Sequence, residues 1–423
     1  MLKLIFYFIF IINAVFGKYN TKKLSANYFD QNDIVCRDEI TGEPIDWFTL
    51  YKLPKKAQKI LNTHKKLHNE FISQGTAYTY MTNQHQEWRL SNLNINDTFS
   101  LPGRTLQQIY SNDSSIGYIF YNDQADQVTM INGHTKGVIL FNENNAVWIV
   151  HSIPHYPPKK SENSYFIRPS QCVFGQSMLC MSFKFDQLDQ IGRQMLFNYP
   201  QVYDYYIPEK LKNSNNGILD NLMAVINKQH VTTEPWHSVK ELRTRGGEVM
   251  LSISKFSNFK DDLYSGLVSN VLNSNLLTET WNNGQGTLRS NCTAQWNVLN
   301  IKTVNFEVAN LKFSVHNDHS KWAVTYEEDN SINEYLYNYG DESNELARNE
   351  IQVPKVACLG DINRQIDQFK RAGGTVCFLN NTRVWEQFHN LVYEVEECQK
   401  VKVKSVRYNK IQAEKPNEKI ILL

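Results

Sequence analysis

The sequence predicts a mixed α/β protein made of two fused halves that share one site. Its 423 residues exceed what one hydrophobic core usually holds, since single cores stop growing at about 250–300 residues. Apolar and aromatic stretches typical of strands alternate along the chain with charged stretches typical of helices. Each half also contains one copy of the tripeptide His-x-Lys at the start of a strand-like stretch.

The first 17 residues have the layout of a secretory signal peptide. Lys3 precedes the apolar run 4–15, and the small residue Gly17 follows that run. The run is too short for a membrane span, and no later apolar stretch is long enough, so we expect a mature chain in the secretory pathway without a membrane partner. N-glycosylation acceptors agree with that compartment, and they stand at Asn96, Asn112, Asn291 and Asn380.

The N-terminal half is assigned to residues 18–216. Residues 46–51 are typical of an early buried strand, and the charged stretch 55–74 is typical of a helix. Further strands are predicted at 118–121 and 148–150, on either side of the first His-x-Lys. The first motif is therefore expected at the edge of a sheet.

The C-terminal half is assigned to residues 217–399, after the linker-like stretch 213–217. Residues 261–266 are typical of a helix start. The stretch 327–350 holds eight acidic residues against one basic residue and is interpreted as a solvated surface insertion. The basic segment 400–423 is interpreted as a solvated tail.

The two His-x-Lys copies predict a phosphate site. Alternate residues of a strand point to the same side, so His134 shares a face with Lys136, and His319 shares a face with Lys321. Two such pairs are suited to hold one anionic group between the halves. A third copy begins at His64 within the charged helix-like stretch, and we interpret it as part of a solvated helix face.

Composition narrows the classes of function. The net charge of +1 argues against a generic nucleic-acid coat protein, whose affinity would come from a strongly basic surface. The 11 histidines become cationic in acid, so an acidic compartment would favour polyanionic partners. Seven cysteines predict disulfides and at least one odd thiol in a secreted chain. Metal-ligand spacings are missing from the sequence, so no metal and no cofactor are expected.

Several short blocks carry a resemblance to a known family. In chain order they are Asp46-Trp47-Phe48, Gly103-Arg104-Thr105, Tyr121-Asn122-Asp123-Gln124, residues 133–138, His151-Ser152-Ile153-Pro154, Glu234-Pro235-Trp236, Lys255-Phe256-Ser257, and residues 261–266, 318–322, 360–364 and 373–377. With these blocks the chain resembles deoxyribonuclease II, the acid endonuclease of lysosomes and secretions. That family is similar to the phospholipase D superfamily, which implies two phospholipase D-like halves about a pseudo-two-fold axis with one shared active site.

The resemblance implies an activity and roles for the motif residues. The activity is hydrolysis of DNA phosphodiester bonds through a phosphohistidine, leaving a 3′-phosphate and a 5′-hydroxyl without a metal ion. His134 is expected to attack phosphorus and His319 to protonate the leaving oxygen, while Lys136 and Lys321 stabilise the charge on the phosphate. A histidine that acts as an acid must be protonated, which predicts highest activity in acid.

Other positions follow the family pattern only in part. His151 is expected to orient the nucleophile or touch DNA, or else to be a satisfied core histidine, and Asn363 is expected to support the site. The superfamily's aspartate downstream of each lysine is not recognisable, and Asn142 and Glu327 are the nearest polar residues. His155 stands where the family has asparagine.

The resemblance also implies a disulfide framework. Its expected bridges are Cys36 to Cys172 and Cys292 to Cys377. Ala323 stands where the family has the usual partner of Cys358, so Cys358 is expected to be a free thiol unless Cys398 replaces that partner.

Two other functions stay open at this point. The chain could be a secreted DNA-binding protein that has lost turnover, against which both intact His-x-Lys pairs argue, or a related phosphodiesterase or exonuclease. The sequence does not decide between lysosome and secretion, or between monomer and homodimer.

Overall fold

The computed structural model describes residues 33–59, 70–111, 113–125, 128–214, 216–327 and 353–398. The predicted signal peptide, the third motif copy at His64, the acceptor Asn112, all but the first residue of the acidic insertion 327–350, and the tail 400–423 lie outside these ranges. Three sheets and several helices confirm the mixed α/β class.

Within the described ranges, the strands β1 to β20 follow one another along the chain. They span Cys36–Arg37, Pro44–Ile45, Trp47–Lys52, Gln58–Lys59, Tyr78–Thr82, His85–Leu90, Gly117–Asn122, Lys136–Phe141, Asn145–His151, Gln176–Lys184, Val202–Tyr206, His237–Arg243, Val249–Lys255, Asn275–Glu279, Val298–Phe306, Leu311–Ser314, Trp322–Tyr326, Ala357–Gly360, Gly373–Phe378 and Val392–Val395. The helices α1 to α7 span Glu70–Gln74, Leu101–Gln107, Leu188–Asn198, Glu209–Ser214, Asp220–Ile226, Ser269–Leu272 and Thr382–His389.

The first large sheet has eight strands in the order β11-β7-β8-β9-β10-β3-β5-β6, and all neighbours are antiparallel. Its central strands β7, β8 and β9 are buried along their whole length, which explains their apolar sequences. The second large sheet has the order β12-β13-β19-β18-β17-β14-β15-β16-β4, with β20 also paired to β15. Strands β1 and β2 form a small third sheet.

The two large sheets face each other across one apolar core. Alternation along β8 separates its side chains, because Ile139 points into this core while Val138 points to a second cluster on the outer face. Trp322 and Phe378 of the second sheet enter the same core as Ile139. The facing sheets therefore bring the starts of β8 and β17 to the same interface, and the first motif ends at the first residue of β8 while the second ends directly before β17.

The two large sheets are interlocked at their edges. Strand β4 belongs to the N-terminal half by sequence, yet Lys59 pairs with Leu311 of β16 in the second sheet. Trp88 of β6 donates from its indole Nε1 to the carbonyl oxygen of Gln387 in α7, at 3.0 Å. A strand from the early part of the chain thus completes the second sheet, and β6 of the first sheet is bonded to α7. In the described part of the chain, none of the helices has the length and apolar character that a bilayer crossing would require.

The predicted disulfide framework is wrong. Cys36 pairs with Cys180, with Cα atoms 6.1 Å apart, because β1 lies over β10, where Ser182 Oγ also accepts the Cys36 amide. Cys358 is bonded, since β18 and β19 place it directly opposite Cys377. The remaining bridge joins Cys292 to Cys398. Cys172 is the free thiol.

We therefore expect Cys172 to be the thiol that alkylates in the unreduced protein. Peptide mapping after alkylation under denaturing, non-reducing conditions should recover the three bridged pairs and a carbamidomethylated Cys172 peptide. The control is Cys172→Ser, which should remove that adduct and leave the bridged peptides unchanged. A Cys36 to Cys172 peptide would contradict the observed pairing.

Candidate active site

Lys136 is the first residue of β8 and is held by a carboxylate from the neighbouring strand. Antiparallel pairing sets Lys136 opposite Asn122, the last residue of β7, so Asp123 lies beside it. The Lys136 Nζ is 2.5 Å from Asp123 Oδ1, and both side chains are buried. The charged partners, above all Lys136, hold the pKa of Asp123 below its usual value despite its burial.

Arg371 is the second cation on Asp123. It lies two residues before β19 in the second sheet, and its Nη2 is 3.2 Å from Asp123 Oδ2. The same Nη2 donates to the carbonyl oxygens of Asn132 at 2.9 Å and Thr129 at 3.1 Å. Arg371 thereby fastens the loop between β7 and β8, which leads into the first motif.

His134 is held by main-chain atoms of the second sheet. Its amide donates to the carbonyl oxygen of Ala372 at 2.9 Å, and its Nδ1 hydrogen-bonds the carbonyl oxygen of Asp361. A carbonyl can only accept, so Nδ1 carries the proton and the Nε2 lone pair of the neutral ring is available. Gly133 allows this approach, because a Cβ there would lie 2.0 Å from the carbonyl oxygen of Asn198.

The second motif precedes β17 and is held in turn by the first sheet. The amide of His319 donates to the carbonyl oxygen of Gly175 at 2.9 Å, and the amide of Lys321 donates to Ser177 Oγ at 3.3 Å. Gly175 is required there, since a Cβ would lie 2.4 Å from Asp318 Oδ1. Each motif is therefore positioned by backbone from the opposite sheet.

The His319 ring is enclosed by aromatic side chains. Phe174 stacks on it with ring centroids 4.0 Å apart and planes 8° apart, and Trp281 lies at 4.5 Å. The ring atom Nε2 is buried and has no hydrogen-bond partner among the described residues. A buried nitrogen without a partner is a free position for a ligand or a water molecule.

A buried polar network supports the second motif from below. The Tyr51 hydroxyl donates to Asp318 Oδ2 and is 2.6 Å from Ser320 Oγ. Ser320 Oγ also donates to Asp318 Oδ2 at 2.9 Å, and the Trp322 indole donates to the Tyr51 hydroxyl at 3.4 Å. Tyr51 belongs to β3, so this network too joins the two sheets.

The lysines of the two motifs share one electrostatic environment. Burial, and then the charge of Lys136, lower the pKa of Lys321 to about 7. Its Nζ donates to the carbonyl oxygen of His319, and within the described part of the chain it makes no ion pair, unlike Lys136. Lys136 is thus pre-paired and Lys321 is available to an incoming anion.

The histidines are kept neutral in the ligand-free protein. Burial lowers the pKa of His134 well below its usual value, and Lys136 lowers it further. Burial and then Lys321 lower the pKa of His319 to about 3. The imidazolium expected from the sequence is therefore disfavoured in the free site in moderate acid, because burial opposes the charged ring and the lysines repel it.

The two predicted supporting residues lie at the end of β9 and in the loop after β18. His151 ends β9, and its Nδ1 accepts the amide of Ile153 at 3.1 Å, while its Nε2 is buried without a partner among the described residues. Burial and then Lys136 lower the pKa of His151 to about 3. Asn363 follows Asp361 by two residues, and its Oδ1 is also buried without a described partner.

Several site carboxylates were missed by sequence reasoning. Asp123 and Asp318 stand upstream of the lysines, whereas the family resemblance implied an aspartate downstream of each. Asn142, the residue named there, instead accepts the amides of Asn144 and Asn145 in the β8–β9 turn. Glu279, the last residue of β14, is fully buried with neither oxygen bonded to a described residue, and burial raises its pKa well above the usual value. No sequence signal marks it.

No group of three or more potential metal ligands of the His, Cys, Asp or Glu type occurs among the described residues. Lys136, Lys321 and Arg371 supply positive charge to the site.

Comparisons with known proteins match most of the chain. The family model described as deoxyribonuclease II matches residues 35–398. Deoxyribonuclease-2-alpha of Mus musculus is 34% identical over 365 residues, covering 85% of this chain and 92% of the relative. Deoxyribonuclease-2-alpha of Sus scrofa is 33% identical over 366 residues, covering 85% and 90%. Plancitoxin-1 of Acanthaster planci is 33% identical over 371 residues, covering 86% and 92%.

Proposed function

The chain belongs to the deoxyribonuclease II family of DNA-hydrolysing nucleases, and on that premise we propose that it is a metal-independent acid endonuclease that acts through a phosphohistidine. The observation that carries this proposal is that the two motifs share one buried environment. After burial, the charge of Lys136 contributes most to lowering the pKa of Lys321. Two buried like charges repel each other, and a phosphodiester anion between them would relieve that repulsion.

In the first step, His134 Nε2 attacks phosphorus and the bond from phosphorus to the 5′ oxygen breaks. The neutral ring with Nδ1–H directed at the Asp361 carbonyl has the required lone pair on Nε2, which favours His134 over His319 as the nucleophile. The 5′ oxygen leaves with a proton from His319 and becomes a hydroxyl.

In the second step, water attacks the phosphohistidine. His319, now neutral, takes a proton from that water, the bond between phosphorus and His134 breaks, and the phosphate stays on the 3′ oxygen. Proton transfer in the first step needs a charged His319, which the free site disfavours. The bound phosphate anion supplies the opposite charge that raises the pKa of His319 in the complex.

The same proposal covers the architecture and the compartment. We propose two phospholipase D-like halves, divided near residues 216 and 217, because each large sheet presents one His-x-Lys at the start of a central strand. The bridges at Cys36, Cys292 and Cys358 fit a lysosomal or secreted protein. DNA is the proposed substrate, and the acceptors Asn96, Asn291 and Asn380 are proposed glycosylation sites, as is Asn112.

The direct test is cleavage of supercoiled plasmid with a chelator present. We expect nicking and then fragmentation in acid, and little cleavage in mild alkali. The fragments should accept label from polynucleotide kinase without prior dephosphorylation, and they should prime terminal transferase only after phosphatase treatment, because their ends are 5′-hydroxyl and 3′-phosphate. Binding of plasmid without cleavage, or cleavage that requires an added divalent metal, would contradict the proposal.

A further inference from the structure

Asp123 is the carboxylate around which the first motif is built. Its two oxygens take different cations, Oδ1 the Lys136 ammonium at 2.5 Å and Oδ2 the Arg371 guanidinium at 3.2 Å. All of these side chains are buried, so each charge is stabilised by this pairing rather than by solvent. One carboxylate between two cations leaves the cluster with an excess positive charge, which suits an anionic substrate.

Arg371 carries this constraint to the nucleophile. Its guanidinium donates to the carbonyl oxygens of Thr129 and Asn132, and the next residue, Ala372, accepts the amide of His134. Arg371 and Ala372, which directly precede β19 in the second sheet, therefore hold residues 129–134 of the β7–β8 loop in place. If Asp123 were lost, Arg371 would keep its carbonyl acceptors but lose its charge partner, and Lys136 would lose the only carboxylate that pairs with it among the described residues.

We propose that Asp123 is a positioning residue of the reaction, which aims the Lys136 ammonium and, through Arg371, the His134 ring at one phosphate. This inference rests on the proposed function, because it assigns the aim of groups that act on the phosphodiester. An ammonium has three donors, and fixing one of them on Asp123 Oδ1 directs the others to the anion. A displacement of about 1 Å at such a group costs on the order of 100-fold in rate.

The proposal has a signature that loss of folding would not produce. Asp123→Asn keeps the shape and removes a negative charge from a cationic site. We expect kcat on plasmid or on a dinucleotide substrate to fall on the order of 100-fold. The affinity for inorganic phosphate, measured by calorimetry on the full chain, should be unchanged or tighter, because the site becomes more positive. Asp123→Glu, which keeps the charge, should recover part of kcat.

Asp262→Asn is the matched control. Asp262 forms a comparable buried ion pair with Arg364 at 3.2 Å, so its loss tests the cost of breaking such a pair elsewhere. We expect a lower melting temperature with kcat within about threefold of the wild type. Arg371→Gln serves if Asp123→Asn does not fold, and it should lower kcat to a similar extent; because it removes a positive charge, its readout is kcat and not phosphate affinity.

These measurements distinguish a failure of the positioning role from a failure of the proposed function. A kcat of Asp123→Asn within threefold of the wild type, or a phosphate affinity that falls in parallel with kcat, would overturn the positioning role. A wild-type protein that binds phosphate in the calorimeter but does not cleave DNA would contradict the proposed function instead.

Discussion

Alanine at His134 or at His319 should each abolish DNA cleavage while the protein stays folded. Each histidine makes or breaks a bond to a proton or to phosphorus in both steps, so neither replaces the other. We expect losses on the order of 10,000-fold or more in kcat, with plasmid nicking as the measurement. The matched control is His85→Ala, at an exposed position of β6, which should cleave like the wild type.

Leaving-group chemistry separates the two roles. A p-nitrophenyl phosphodiester of thymidine needs little protonation of its departing oxygen, so His319→Ala should retain much of its turnover on that ester. His134→Ala should be inactive on the ester as well, because no phosphohistidine forms. If His134→Ala instead kept ester turnover and His319→Ala lost it, the roles of the two histidines would be reversed.

Much of the site could be predicted because its signals are local. The first motif ends at the first residue of the buried strand β8 and the second directly precedes β17, although neither histidine lies in a strand. The partners of these residues could not be predicted, since they depend on pairing between strands. Asp123 meets Lys136 only through the β7–β8 register, and Arg371 is separated from Asp123 by 248 residues.

The disulfide errors have the same origin. A family pattern supplied expected partners, but the bond between Cys358 and Cys377 follows from the register of β18 and β19, which no feature of the sequence specifies. The histidine pKa values are a further case, because their lowering needs the two lysines in one buried site. The residue types of the site could therefore be predicted from the sequence, but the electrostatic coupling between those residues could not.

That coupling predicts which group sets the loss of activity as pH rises. Lys321 is buried, faces the charge of Lys136, and is also approached by Asp318, Asp361 and Asp123, which offset only part of the repulsion. Its pKa of about 7 lies below the usual 10.5, so the ammonium predominates in acid and is lost as the pH rises through about 7. Stabilisation of the phosphate charge should be lost with it.

We therefore expect the fall of kcat/KM on plasmid to steepen above neutrality by about a further tenfold per pH unit, since this ratio reports the ionisations of the free enzyme and loss of the Lys321 charge adds to that of the His319 charge. Lys321→Arg should have lower activity at its optimum, because a guanidinium has a different shape, but its kcat/KM should not steepen above neutrality, because arginine stays charged. Lys184→Arg, at the exposed end of β10, controls for the substitution and should leave the profile unchanged. If the Lys321→Arg profile steepened at the same pH as the wild type, the ionisation near pH 7 would belong to another group, and the unpaired lysine would not be the source of the loss in alkali.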